Sequence, residues 1–224
     1  MYSLMQFLII LFSLGLVLTS LLTIESRDLV KSSRAYLGQA LLLVAILSVY
    51  AVALPNHELF LWSVTILVSK GIIVPWLLRR YGRKVDRAEV RPLIELWPSL
   101  LIALGLIVLF FWLTHSHYSF LIPSPDVAGE PYRTNLAVAA TILCLGFYAL
   151  LTRRDAVKAV IALCLMENGV HLGLMSLAPT IPETAMIGVA TDVVISIWML
   201  LYIITGIYAK NASTDTWDLS KLRG

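Results

Sequence analysis

Seven stretches of this chain are long and apolar enough to cross a lipid bilayer as helices, and no other feature limits its fold so tightly. A helix rises ~1.5 Å per residue, so about 20 apolar residues span the hydrocarbon. Such stretches cover residues 2–24, 35–55, 58–78, 97–115, 134–152, 156–178 and 184–209. In lipid every backbone N–H and C=O needs a partner within the protein, which leaves helices and closed barrels. The runs are continuous rather than ten-residue alternating segments, which argues against a barrel. The fold class is therefore all-α, a polytopic integral membrane protein with seven transmembrane helices. The composition agrees, at 59% hydrophobic and only 14% charged residues, where soluble domains are nearer half and a quarter.

The basic residues set an orientation. Arg27, Lys31 and Arg34 fall in the loop 25–34. Arg79, Arg80, Arg83, Lys84, Arg87 and Arg91 fall in the loop 79–96. Arg153, Arg154 and Lys158 follow the fifth span, and Lys210, Lys221 and Arg223 belong to the tail. Fifteen of the seventeen lysines and arginines thus lie on one side; Arg133 lies on the other and Lys70 within the third span. The positive-inside rule then places the N-terminus outside and the C-terminus in the cytoplasm, as an odd number of spans requires. No basic residue precedes the first span and no small-residue cleavage site follows it, so this helix is expected to be retained rather than removed as a signal peptide. The expected location is a bacterial or archaeal cytoplasmic membrane.

Four helices fill residues 1–115, an outer loop covers 116–133, a compact three-helix unit covers 134–209, and a polar tail covers 210–224. The tail carries three apolar anchors, Trp217, Leu219 and Leu222, which are expected to rest on a cytoplasmic surface. Cys144 and Cys164 both lie in apolar runs, so neither a disulfide framework nor a zinc site is indicated. The net charge of +3 and the scatter of the basic residues exclude a nucleic-acid surface. His115 and His117 at the end of the fourth span are too few to hold a metal, and interfacial solvation accounts for them. Trp62, Trp76, Trp97 and Trp112 sit toward span ends, as interfacial anchors do. No phosphate loop, nucleophile elbow, CxxC or haem motif is present, so the chain is expected to carry no cofactor and no redox chemistry of its own.

Three ionisable residues sit deep in the spans: Lys70 near the centre of the third, Glu167 halfway along the sixth, and Asp192 in the seventh. Each costs roughly 2.5–3.5 kcal/mol at the bilayer centre, so all three are expected to face the bundle, a partner subunit or internal water. Glu167 and His171, four apart, stack on one helix face, with Cys164 one turn back. Asn168 adjoins them, and Gly169 and Gly173 form a small-xxx-small pair that admits a neighbouring helix. Thr191 adjoins Asp192, and Ser196 lies one turn beyond. Pro75 lacks an N–H for the carbonyl of Gly71, which predicts a break just after Lys70. Two readings follow. The polar groups are ties that fix helix packing, or Glu167, Asp192, Lys70 and His171 form a proton relay supported by Asn168, Thr191 and Ser196. The second rests on a general balance: low dielectric favours a neutral carboxyl, while a nearby cation or water file favours the charged one.

The unit "LLTRRDAVKAVIALCLMENGVHL", followed by a helix with "ATD", resembles the K-type subunit of respiratory complex I. Counted from Asp155, that family's asparagine falls on Asn168 and its second carboxylate on Asp192. Its first membrane glutamate departs from pattern: the matching position is Cys164, with Glu167 one turn later. Taken with "SK" and the downstream "VP" of Lys70 and Pro75, the whole chain is similar in length and layout to the E component of hydrogenase-4 and related formate hydrogenlyases. The resemblance implies a membrane-arm subunit of a group 4 [NiFe]-hydrogenase, beside antiporter-like subunits. It also implies buried carboxylates that couple hydrogen metabolism to proton or ion movement. The nickel–iron and iron–sulfur centres would reside in peripheral partners reached indirectly. Other readings are a subunit of a multi-subunit Na⁺/H⁺ antiporter, whose C-type component shares the three-helix unit, or a structural scaffold of such a complex. The charge asymmetry makes one direct prediction: single cysteines at Arg87 and Gly224 are labelled only from the cytoplasmic face. An external signal at either position overturns the span count.

Overall fold

The computed structural model describes residues 2–26, 28–53, 57–82, 84, 93–121, 129–178 and 183–216. Its elements are α1 (Tyr2–Glu25), α2 (Leu29–Ala53), α3 (His57–Ile66), a π-helical segment (Leu67–Ile73), α4 (Val74–Gly82), α5 (Leu96–Leu121), α6 (Tyr132–Thr152), α7 (Ala156–Leu177) and α8 (Glu183–Asn211). The third span runs unbroken through α3, the π segment and α4, so these elements make seven helices long and apolar enough to cross a membrane. Among the described residues there is no strand, only an isolated bridge between Asp155 and Asp215.

The helices overrun the apolar stretches because polar turns extend them past the hydrocarbon. α2 begins at Leu29, where Asp28 Oδ1 accepts the Val30 N–H at 2.9 Å, an N-cap contact. Lys31 and Arg34, expected in a loop, therefore lie in its first turns. The break expected near Pro75 takes the form of the π segment, in which the Val74 N–H reaches back five residues to Ser69 O. One residue is in effect inserted there, a device often found at functional positions, and Lys70 lies at its centre.

α7 is the hub. Its side chains enter all three apolar cores: one with α1, α2, α3 and α6, a second with Tyr36 of α2, α4 and α8, and a third with α1, α5 and α6. About 67% of its apolar stretch is buried, against 11% for α5 and 22% for α8. Those two helices therefore present wide apolar faces to lipid or to neighbouring subunits. α6 and α7 touch backbone to backbone. A Cβ on Gly169 would sit 2.8 Å from Leu143 N and 2.9 Å from Ala139 O, and one on Gly146 would meet Met166 N at 2.9 Å and Ala162 O at 3.0 Å. The close approaches are thus at Gly146 and Gly169, each against the opposing backbone. Gly173, read from the sequence as half of the small-residue pair, has only Ala139 Cβ at 3.7 Å.

The ends of the bundle are tied by polar contacts. Glu25 at the end of α1 receives Arg153 Nη2 at 2.9 Å and Ser99 Oγ at 2.5 Å. Asp155 caps α7 through the N–H groups of Val157 and Lys158 at 2.8 and 3.0 Å. The segment after α8 folds back onto that cap: the Ala156 N–H donates to Thr214 O, the Thr216 N–H to Arg154 O, and Arg154 pairs with Asp215 at 2.7 Å. Arg83, Arg87, Arg91 and the tail anchors Trp217, Leu219 and Leu222 lie outside the described residues. Because the atoms facing Gly169 are backbone and cannot yield, Gly169→Ala is expected to destabilise by about 1–3 kcal/mol. Gly173→Ala should stay within ~0.5 kcal/mol of the parent; the thermal midpoints of the solubilised variants check both.

Candidate functional site: a buried ammonium–carboxylate pair

Lys70 projects from the π segment onto α7. Its Nζ lies 3.1 Å from Glu167 Oε1 and donates to Asn168 Oδ1 at 2.7 Å. The ammonium is only 1% exposed and the carboxylate 8%, so the pair is sealed from solvent within the chain. Such a pair is held by mutual attraction plus further hydrogen bonds, since desolvation of two charges otherwise outweighs their attraction. Here the further bonds form a string. Asn168 Nδ2 donates to Gln39 Oε1 of α2 at 3.0 Å, Gln39 Nε2 donates to Ser20 Oγ of α1 at 2.6 Å, and Ser20 Oγ donates to Leu16 O at 2.6 Å. Four spans meet through these groups: the first, second, third and sixth.

On the other side of the carboxylate lies His171. Its Nε2 is 3.9 Å from Glu167 Oε1, and its ring centroid is 6.0 Å from that of Trp62. Among the described residues, neither His171 ring nitrogen, neither Glu167 carboxylate oxygen, nor Trp62 Nε1 has a hydrogen bond of acceptable geometry. Trp62 is buried, which corrects its reading as an interfacial anchor: it faces α7, and its indole closes the histidine side of the site. Trp76, Trp97 and Trp112 are exposed on the bundle surface, as anchors should be.

The structure brings Lys70, Glu167, Asn168 and His171 together. It does not bring Asp192, Thr191 or Ser196 to them. α8 packs inward through Ile197 and Leu201, and Asp192, about 140° around the helix from Ile197 at 100° per residue, is exposed on the side of the bundle, as are Thr191 and Ser196. The Thr191 hydroxyl is spent on Ile187 O at 2.8 Å. The sequence reading missed Gln39 and Ser20. A glutamine in the apolar run "YLGQALLL" was the available signal, because a membrane-buried amide needs partners as a charge does. His115 lies 3.9 Å from Glu130 Oε1, and Arg133 donates to its carbonyl; among the described residues no three His, Cys, Asp or Glu side chains are placed to hold a metal.

A second polar cluster joins Ser13 of α1, Asn135 of α6 and Tyr50 of α2, with Asn135 Nδ2 donating to Tyr50 Oη at 2.7 Å and Ser13 to Asn135 Oδ1. Between it and the pair, α1 places Leu16 and Val17, and α2 places Leu43, Ile46 and Leu47, all in one apolar core.

The family model for NADH-ubiquinone/plastoquinone oxidoreductase chain 4L matches residues 134–224. Hydrogenase-4 component E of Escherichia coli (strain K12) is 26% identical over 210 residues, covering 93% of this chain and 94% of that protein. NAD(P)H-quinone oxidoreductase subunit 4L of a Synechococcus species is 29% identical over 98 residues, 39% of this chain and 92% of that protein. The corresponding subunit of a Nostoc species is 31% identical over 94 residues, 39% of this chain and 93% of its own length. No solved structure matches the chain. The 4L likeness spans nearly the whole of those subunits and falls on the helices that carry Glu167 and Asn168, so the chain belongs to the NADH-ubiquinone/plastoquinone oxidoreductase chain 4L family.

Proposed function

We propose that this protein is a membrane-arm subunit of a group 4 [NiFe]-hydrogenase of the hydrogenase-4 type, in which Lys70, Glu167 and His171 relay protons coupled to hydrogen metabolism. The observation that carries this is the ion pair buried in mid-span, in a chain that aligns from end to end with a hydrogenase-4 component E. That end-to-end likeness covers all seven spans and favours the hydrogenase arm over an Na⁺/H⁺ antiporter subunit, whose shared part would be the last three helices alone.

A proton placed on Glu167 cancels its charge and ends its attraction for Lys70; loss of that proton restores it. The pair therefore has two charge states with different contacts between the π segment and α7, which is what a charge-coupled element requires. His171, at 3.9 Å, is too far for a direct hydrogen bond and within reach through one water. Electron chemistry belongs to partner subunits holding nickel–iron and iron–sulfur centres; the proton steps need only the organic side chains named here. Asp192, a carboxylate on the exposed face of α8, is assigned to the junction with a neighbouring antiporter-like subunit. No hydrogen bond or ion pair joins its side chain to the described residues, and a lipid-facing carboxylate is costly. In this reading the N-terminus is outside, the C-terminus cytoplasmic, and the complex resides in the cell's inner membrane.

Glu167→Gln keeps size and an acceptor for Lys70 while removing the titrating group. Assembly is expected to persist, hydrogen evolution with an artificial electron carrier to stay within about twofold, and ion translocation per turnover to fall at least about tenfold. Lys70→Met is expected to lower translocation in the same direction. Full translocation in Glu167→Gln membranes at normal complex abundance removes the relay reading and leaves the pair a structural tie.

A further inference from the structure

The polar groups around the Lys70–Glu167 pair differ in kind: an amide string toward α1, His171 toward Trp62, and the Tyr36 hydroxyl with the Cys164 thiol toward α2 and α4. The branch toward α1 is saturated and oriented. Lys70 donates to Asn168, Asn168 to Gln39, Gln39 to Ser20, and Ser20 to the Leu16 carbonyl, at 2.7, 3.0, 2.6 and 2.6 Å. Every donor points the same way, and each amide is fixed by a bond at both ends. Asn168 presents oxygen to the ammonium because its nitrogen is held by Gln39; turned over, it would aim an N–H₂ group at Lys70. An amide releases a proton only with difficulty, so a string with two side-chain amides in series orients groups and does not conduct. The branch toward Trp62 is the opposite. His171 is titratable, fully buried, and has neither ring nitrogen hydrogen-bonded among the described residues.

From this contrast we infer that Gln39 and Ser20, in the N-terminal helices, are positioning residues that hold the Lys70 ammonium through Asn168 whenever Glu167 is neutral, and that this string takes no part in proton exchange itself. The inference rests on the relay reading above. When Glu167 takes a proton, Lys70 would otherwise be a buried cation without an acceptor, which is strongly unfavourable. Asn168 Oδ1, already the nearer acceptor, keeps it in place. The string is what allows one member of the pair to change charge while the other stays put. It also gives the first two spans a task in the site, although they lie outside the segment matched to chain 4L.

The test uses membranes carrying the assembled complex, with translocation per turnover read beside carrier-linked hydrogen evolution. Gln39→Leu removes both bonds of the amide, and translocation is expected to fall about tenfold, the scale of one buried hydrogen-bonding group left unmatched, with hydrogen evolution and abundance retained. Gln39→Glu, whose neutral carboxyl offers one acceptor and one donor in the same places, is expected to restore translocation to within about twofold of the parent. In an Asn168→Leu background, Gln39→Leu should add nothing, because its effect passes through Asn168. Should Gln39→Leu not assemble, Ser20→Ala removes the far anchor alone and is expected to lower translocation about threefold. The inference is overturned by parental translocation in whichever of these two variants assembles, by failure of Gln39→Glu to rescue, or by a full Gln39→Leu effect in the Asn168→Leu background. Failure of the relay reading itself is distinguishable, since it appears as undiminished translocation in Glu167→Gln whatever Gln39 does.

Discussion

A cation in the middle of a membrane bundle must be surrounded by acceptors, and the placement of Lys70 sets that demand on four spans at once. The α7 face supplies a carboxylate and an amide in adjacent positions, so a single ammonium can reach both, at 3.1 and 2.7 Å. The π segment supplies the reach from the third span, because the inserted residue displaces the helix around Lys70 from its ordinary register. α2 and α1 then satisfy what the amide leaves over. Remove the cation and the polar residues of these helices, Gln39 and Ser20 above all, lose their reason to be inside.

The same demand explains why α7 must be central. A helix that carries Glu167, Asn168 and His171 on its buried side cannot face lipid there, and it is enclosed by α1, α2, α3, α6 and α8. Enclosure on the α6 side is close enough that two glycines, Gly146 and Gly169, meet opposing backbone directly. Such contact fixes the axial position of α7 against α6, and with it the height at which Glu167 meets Lys70. Packing and chemistry are coupled through that register: a shift of one turn, ~5.4 Å, would carry the carboxylate out of reach of the ammonium.

Much of this was legible in the sequence because the membrane reduces the problem. Apolar length alone located seven spans, with differences confined to ends where polar turns such as Asp28–Lys31 prolong a helix. Helical spacing placed Glu167 and His171 on one face, and the cost of intramembrane charge singled out Lys70. What the sequence did not reveal depends on which face of one helix meets which face of another. Asp192 looked equivalent to Glu167, yet α8 turns Ile197 and Leu201 inward and leaves the carboxylate exposed. Gln39 carries no charge and so drew no attention, although a buried amide has two groups to satisfy. Trp62 was read by its distance along the span, whereas its direction around the helix decides its role.

The two polar clusters bear on the proposed relay. Ser13, Asn135 and Tyr50 form a second side-chain hydrogen-bond string joining three spans, and it is no continuation of the first. Along α1, two turns of helix separate Ser13 from Ser20, and the buried side chains between them, Leu16 and Val17, are apolar; along α2 the same holds for Leu43, Ile46 and Leu47 between Gln39 and Tyr50. Proton transfer along α1 or α2 through that layer would meet hydrocarbon on both helices, and apolar walls of this kind stay dry. The proposed relay is thus walled off from Tyr50 along α1 and α2 and clamped toward Ser20. His171, with Trp62 beside it, and the buried Tyr36 and Cys164 are the titratable groups left facing Glu167, and α3 packs on the His171 side against both α7 and α8. In the proposed relay the step from Glu167 to His171 runs one turn along α7, ~6 Å at helical rise, so it follows the helix axis.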